Sequence, residues 1–220
     1  GDVYKRQEYV REATAAVTSM NCLANKFGDD DLATLLTAIE GTSVRSLCGL
    51  TEGQTIADFS GQNLGPIDMK IMAAEYGFQG FIAALISLTV DSNDIFGIFP
   101  RYPGDSSAKP DKFAGDCDAF LAALKESNIL TLSLQKTGIG PLTLRKLATS
   151  LPAAIEVVAI GANPITSEGG ATLLETIKTS KLKAIDIGKP LPLQEPYESD
   201  TLDLSNAKMD PGHVLLLLSL

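Results

Sequence analysis

Ile155-Glu156-Val157-Val158-Ala159-Ile160-Gly161-Ala162-Asn163-Pro164-Ile165 is the stretch whose reading decides the fold. Its apolar skeleton falls at 155, 158, 160 and 165, with a polar asparagine at 163. Val158 and Ile160 are two apart, so they share one face of a short strand, and the asparagine and proline that follow end it. Downstream the period changes. In the segment that corresponds to residues 17–47 when the chain is shifted by 138 positions, Leu32, Leu35, Leu36 and Ile39 are spaced i, i+3, i+4, i+7, which is one face of a helix. That shift superposes residues 17–47 on 155–185 without a gap and matches seven of 31 positions, among them Asn25 on Asn163 and Ala33-Thr34-Leu35-Leu36 on Ala171-Thr172-Leu173-Leu174.

The apolar skeleton at 0, +3, +5 and +10 recurs through the chain. It reads Val17, Met20, Cys22, Phe27, then Leu85, Leu88, Val90, Ile95, and then Ile129, Leu132, Leu134, Ile139. Weaker copies run through Ala57, Phe59, Leu64 and through Leu202, Leu204, Met209, while Val44/Leu47 and Leu182/Ile185/Ile187 begin the pattern and lose it. Helical spacing follows the complete copies at Met69–Tyr76, Cys117–Leu124 and Leu144–Leu151, five residues after the +10 position in five of six cases. Helix-start chemistry fills the gap: Gly28-Asp29-Asp30, Gly65-Pro66, Gly140-Pro141, Ser167-Glu168 and Asp210-Pro211. A strand, turn and helix of this size cannot bury its apolar face alone, but a stack of them can.

On these residues the chain resembles the leucine-rich repeat family, in its ribonuclease-inhibitor-like class. Residues 155–165 fit the family pattern L-x-x-L-x-L-x-x-N-x-L at every place, and the resemblance extends over about 17–220. It implies an α/β solenoid, a horseshoe of about eight irregular repeats with parallel strands on the concave side and helices on the convex side. It also implies that Asn25, Asn93 and Asn163 bond backbone groups between successive coils. The copies at Val44 and Leu182 lack helices, so hairpin-like pairing is expected within 44–59 and 182–204. Asp2 to Gln7 resemble the translated end sequence of a transposase used in library preparation, so residues 1–7 are set aside as non-native. The rest, residues 8–220, is expected to be one repeat domain, incomplete at both ends and taken from an environmental reading frame.

With 220 residues, 45% hydrophobic and 20% charged, the chain has the composition of a folded domain. A net charge of −9 with no basic cluster argues against nucleic acid or an anionic membrane as partner. Three cysteines and one histidine do not make a zinc site, and a reduced, cytoplasmic setting is expected. No cofactor or metal is expected. Asp29-Asp30-Asp31 lacks the alternation of a calcium loop and reads as a helix start. Gly138-Ile139-Gly140 lacks the lysine of a phosphate loop. His213 reads as a surface histidine, Cys22 and Cys117 as core residues, and Cys48 as outward-facing. No nucleophile–base set or metal motif appears, so no enzyme is expected.

What remains is surface. The outward strand positions include Ser46 and Cys48; Ile56, Asp58 and Ser60; Ser87, Thr89 and Asp91; Thr131, Ser133 and Gln135; Ala184, Asp186 and Gly188; Thr201, Asp203 and Ser205. Asp58, Asp91, Gln135, Asp186 and Asp203 are the concave-face candidates, none basic and none aromatic. The second candidate is an insertion at about 96–112, where helix onset comes 22 residues after Ile95 rather than five. It carries Phe96, Phe99, Arg101 and Tyr102, residue types that dominate protein interfaces. Its plainer reading is a spacer covering the edge of the stack. Non-catalytic protein interaction is the expected function; the alternatives are a piece of a Ran-type GTPase-activating protein or of a multidomain ligand-sensing receptor.

Overall fold

The computed structural model describes residues 17–102, 104–197 and 199–219; the set-aside residues 1–7 lie outside them. The fold is α/β. Six strands lie side by side in sequence order: β1 (Ile56–Asp58), β2 (Ser87–Thr89), β3 (Thr131–Ser133), β4 (Val157–Ala159), β5 (Ala184–Asp186) and β6 (Pro190–Pro192). The first five are parallel, and β6 folds back antiparallel on β5. The helix α1 (Asp29–Ile39) precedes the sheet. Each parallel connection carries one α-helix: α2 (Pro66–Gly77, followed by a 3-10 turn at Phe81–Ala84), α3 (Asp118–Lys125), α4 (Pro141–Ser150) and α5 (Thr166–Thr179), with α6 (Pro211–Ser219) closing the order. From α2 to α6 each helix packs on the next.

The register follows from the alternation. Ala57, Leu88, Leu132, Val158 and Ile185 stand opposite one another as the buried row. They join Met69, Met72, Phe120, Leu121, Leu144, Leu147 and Leu173 from the helices in one apolar cluster. Their neighbours on the other face, such as Ser87, Thr89, Thr131 and Ser133, remain partly open to water. Burying one such leucine or isoleucine contributes about 1.5–3 kcal/mol, so a one-residue slip of any strand is strongly disfavoured.

Two of the three asparagines bond backbone groups on neighbouring strand connections, and Asn25 does not, which corrects its place among them. Asn163 Nδ2 donates to Leu134 O (2.7 Å) in the preceding coil and to Ile160 O (2.9 Å) in its own, while its Oδ1 accepts from Thr137 N (2.9 Å) and Ile139 N (3.2 Å). Asn93 Nδ2 likewise donates to Phe59 O and Val90 O (both 2.9 Å), and its Oδ1 accepts from Leu64 N (2.9 Å). Asn25 is exposed and bonds only Cys22 O and Leu23 O nearby. One shared feature has no signature in residue type. The +7 position of successive copies is left-handed: Ala24 (φ 58°), Gly61 (64°), Ser92 (57°), Lys136 (53°), Ala162 (56°) and Asn206 (60°).

Several expectations are corrected. A hairpin does form after Leu182, as β5–β6, but Leu202 and Leu204 belong to no strand. Residues 44–59 do not pair with themselves; Ser46 bridges Ser19, and Asn21 bridges Cys48. Ser46 and Cys48, expected outward, are both buried. The cause is Glu75 of α2, itself fully buried. Its Oε2 accepts from Ser46 Oγ (3.1 Å), Leu47 N (2.7 Å) and Cys48 N (3.1 Å), and its Oε1 from Ile82 N (3.0 Å). Two consecutive amides turned toward one carboxylate break the strand alternation on which the outward assignment rested. Cys22 is only half-buried, and Leu23 takes the core place beside it. His213 is fully buried rather than on the surface, with Nδ1 2.8 Å from Asp210 Oδ1.

Candidate functional site

The insertion is built on a rigid stem. Ile98 and Lys109 exchange backbone bonds (both 2.9 Å), Phe96 N donates to Thr137 O (3.1 Å), and Asp111 N donates to Gly138 O (3.0 Å). Gly97 and Gly138 touch backbone to backbone so closely that a Cβ on either has no room. Asp111 then reaches the next coil: its carboxylate accepts from the amides of Gly140, Leu142 and Thr143, each at 2.9 Å, at the start of α4. Those are amides a helix leaves unpaired, at the end where its dipole favours a negative charge.

Phe96 is fully buried in the core and so is not a surface contact, a correction to its place among the loop candidates. Phe99 is half-exposed, whereas Arg101 and Tyr102 are exposed, Tyr102 by 63%. Arg101 Nη2 pairs with Asp94 Oδ2 at 2.9 Å. Asp105 folds the tip by accepting from Arg101 N (3.0 Å), Ser107 N (2.9 Å) and Ser107 Oγ (2.6 Å), and the Ser107 bonds hold its carboxyl below the usual range. The stem is fixed, and the tip presents a tyrosine and a guanidinium.

On the open face of the sheet the register sets Asp58, Thr89, Ser133, Ala159 and Asp186 in one row. The structure brings Asp91, Ser133 and Gln135 together: the Asp91 carboxylate accepts from Ser133 Oγ (2.7 Å) and Gln135 N (2.7 Å). Burial raises its pKa, against the lowering effect of those bonds. Asp58 accepts from Ser60 N (2.8 Å) and Ser60 Oγ (2.5 Å), which hold its carboxyl down. Asp186 accepts from Gly188 N (2.7 Å) and lies three strands from β2, about 14 Å at the usual strand spacing. Asp203 lies outside any strand, and bonds from Ser205 lower its pKa. The five candidates therefore do not converge, and each of the four aspartates is engaged in bonds to its own surroundings.

Sequence reasoning missed the buried carboxylates Asp68 and Glu75. Asp68 accepts from Gly65 N (2.7 Å) and from Ala24 N (2.8 Å) across the stack, and its place three residues after Gly65 is the signal that could have found it. Glu75 has no such local signal. Among the described residues no group of three or more His, Cys, Asp or Glu side chains is placed to hold a metal ion, and no helix is long and apolar enough to cross a membrane. No family model and no curated protein matches this chain.

Proposed function

We propose that the chain is a leucine-rich repeat solenoid of the ribonuclease-inhibitor-like class, acting as a non-catalytic module that binds another protein, with the 96–112 insertion as its contact. The ordered parallel strands and the inter-coil bonds of Asn93 and Asn163 support the repeat reading. The observation that carries the functional reading is the contrast within the insertion. Its stem is tied to two coils, while Phe99, Arg101 and Tyr102 stand at the tip, so little conformational freedom is lost when they bind. The acidic open face is the second surface, and its small, already bonded side chains offer fewer anchors. A cytoplasmic protein partner fits this reading better than nucleic acid or membrane, given the net charge of −9.

Peptides selected on the immobilised chain from a display library test this. Phe99→Ala with Tyr102→Ala should weaken them tenfold or more, and Asp58→Ala with Asp186→Ala less than threefold. The reverse order would move the contact to the open face. Stimulation of GTP hydrolysis in a small GTPase would replace this reading with the GTPase-activating one.

A further inference from the structure

The two edges of the sheet differ in what they offer. On β6 the bonds Leu193 N to Lys183 O (2.8 Å) and Ile187 N to Lys189 O (3.3 Å) fix the ladder, so Leu191 faces β5 and residues 190 and 192 face outward. Both are prolines, which have no N–H to offer an incoming strand. That edge is closed to extension.

The β1 edge carries no such block. Ile86 N and Ser87 N both donate to Thr55 O, Phe59 N donates to Thr89 O, and Gly61 N to Asp91 O. The backbone groups of the odd-numbered residues of 55–61, a segment that contains β1, therefore face β2, and those of Ile56, Asp58 and Ser60 face away from it. Side chains of the same segment cover part of this row. Gln54 Nε2 donates to Ile56 O (2.9 Å), Gln62 Nε2 to Asp58 O (3.4 Å), and Ser60 N to Asp58 Oδ1 (2.8 Å). Among the described residues nothing accepts from the N–H of Ile56 or of Asp58. Residues 45–48, which precede β1 in the chain, bond instead to Thr18, Met20, Cys22, Glu75 and Phe81. Ile56 is 67% exposed, and Asp58 and Ser60 are exposed beside it.

We propose that the free edge of β1 docks an extended segment of another protein as a further strand, and that this segment carries a lysine or arginine. The basic character follows from charge. Asp58 stands on this edge with Asp91 nearby, two residues past the end of β2, Glu52 lies in the preceding loop, and the whole chain carries −9. The apolar Ile56 lies two residues away on the same face, so the complementary segment alternates apolar and basic residues at that spacing. A second copy of this chain is the poorer occupant, because it would bring two acidic molecules and two copies of Asp58 together. The proposal does not depend on what the 96–112 insertion binds.

The test uses the 15N-labelled chain and two synthetic probes, acetyl-Thr-Val-Thr-Lys-Thr-Thr-amide, in which valine and lysine share one strand face, and the same peptide with glutamate for lysine. The basic peptide should shift and protect the amides of Ile56 and Asp58, leave the β6 edge unchanged, and bind at least tenfold more tightly than the acidic one. Ile56→Pro, which copies the block at the other edge, should weaken it at least tenfold, and Asp58→Asn, which keeps the N–H, should weaken it less. The basic peptide N-methylated at its four central residues keeps the charge, loses the strand pairing and should not bind wild type, whether or not Ile56→Pro folds. The proposal is overturned if the amides of Ile56 and Asp58 are as protected in the free chain as those of Ala57 and Phe59. Equal binding of the N-methylated peptide, or concentration-dependent protection without any peptide, overturns it too.

Discussion

Asn163→Ala should be among the most damaging single substitutions in this chain. The side chain is 1% exposed and makes four hydrogen bonds to backbone atoms of two coils. Removing it does not cost four equal terms. Leu134 O keeps a partner, because Thr137 Oγ1 also donates to it at 2.7 Å. The amides of Thr137 and Ile139 lose their only side-chain acceptor, and both residues are fully buried. Each stranded buried donor costs about 1–3 kcal/mol, so the pair implies a loss of roughly 2–6 kcal/mol. That is a large part of the ~5–15 kcal/mol by which domains are stable. The comparison is Asn25→Ala, in which an exposed side chain loses two local bonds; about 1 kcal/mol or less is expected. Urea unfolding followed by far-ultraviolet circular dichroism measures both, with the shift in midpoint read at constant m. A cost below about 1 kcal/mol for Asn163→Ala would refute the reasoning, since it would mean that the inter-coil bonds are replaced by water or by relaxation.

The left-handed turn gives a paired test: Gly61→Ala (φ 64°, open space around it) should cost about 1 kcal/mol, whereas Ala162→Gly (φ 56°) should be neutral or stabilising, read by thermal unfolding. Burial raises the thiol of Cys48 well above its usual range and that of Cys117 to about 12, so a disulfide-exchange reagent should label half-buried Cys22 first and reach the other two only on unfolding; prompt labelling of Cys48 would contradict the Glu75 packing. Burial raises the Asp91 carboxyl, so its neutral form is the better tolerated in the fold, and its contribution is present in acid and lost as pH rises through the folded-state pKa; Asp91→Asn should lack that decline, and an unchanged pH–stability curve would exclude it.

The helices, the buried strand row and the helix starts at Gly28, Gly65 and Gly140 were legible because each follows from a local rule: period 3.6, period 2, and turn chemistry. What was not legible depends on contacts across the stack. The outward assignment of Ser46 and Cys48 assumed an unbroken strand, and the carboxylate that breaks it comes from Glu75, 27 residues beyond Cys48. Phe96 counted as a loop residue because the helical pattern had lapsed, yet its backbone still pairs with Thr137 and its ring enters the core. By sequence His213, a lone histidine at a helix start, reads as a surface residue, but the Asp210-Pro211-Gly212 turn folds Asp210 back onto the imidazole. The left-handed +7 position had no signal, since Ala, Gly, Ser, Lys, Ala and Asn occupy it in turn.

The same distinction bears on how the candidate surfaces should be weighed. Counting four aspartates on outward strand positions suggests a negative face ready to bind. Their bonds change that picture: Asp58 and Asp203 fold back on Ser60 and Ser205, Asp186 on Gly188, and Asp91 ties β2 to Ser133 and Gln135. A ligand that engages Asp91 directly must therefore compete with bonds the fold already makes, and part of its interaction is offset by what it displaces. Nothing comparable holds back Tyr102 or the Ile56 amide, because neither gives up an existing hydrogen bond among the described residues on meeting a partner. Availability of this kind, rather than residue type alone, favours the 96–112 tip and the N–H row of the β1 edge over the aspartates of the open face, although a docking strand must still displace Gln54 from Ile56 O and Gln62 from Asp58 O.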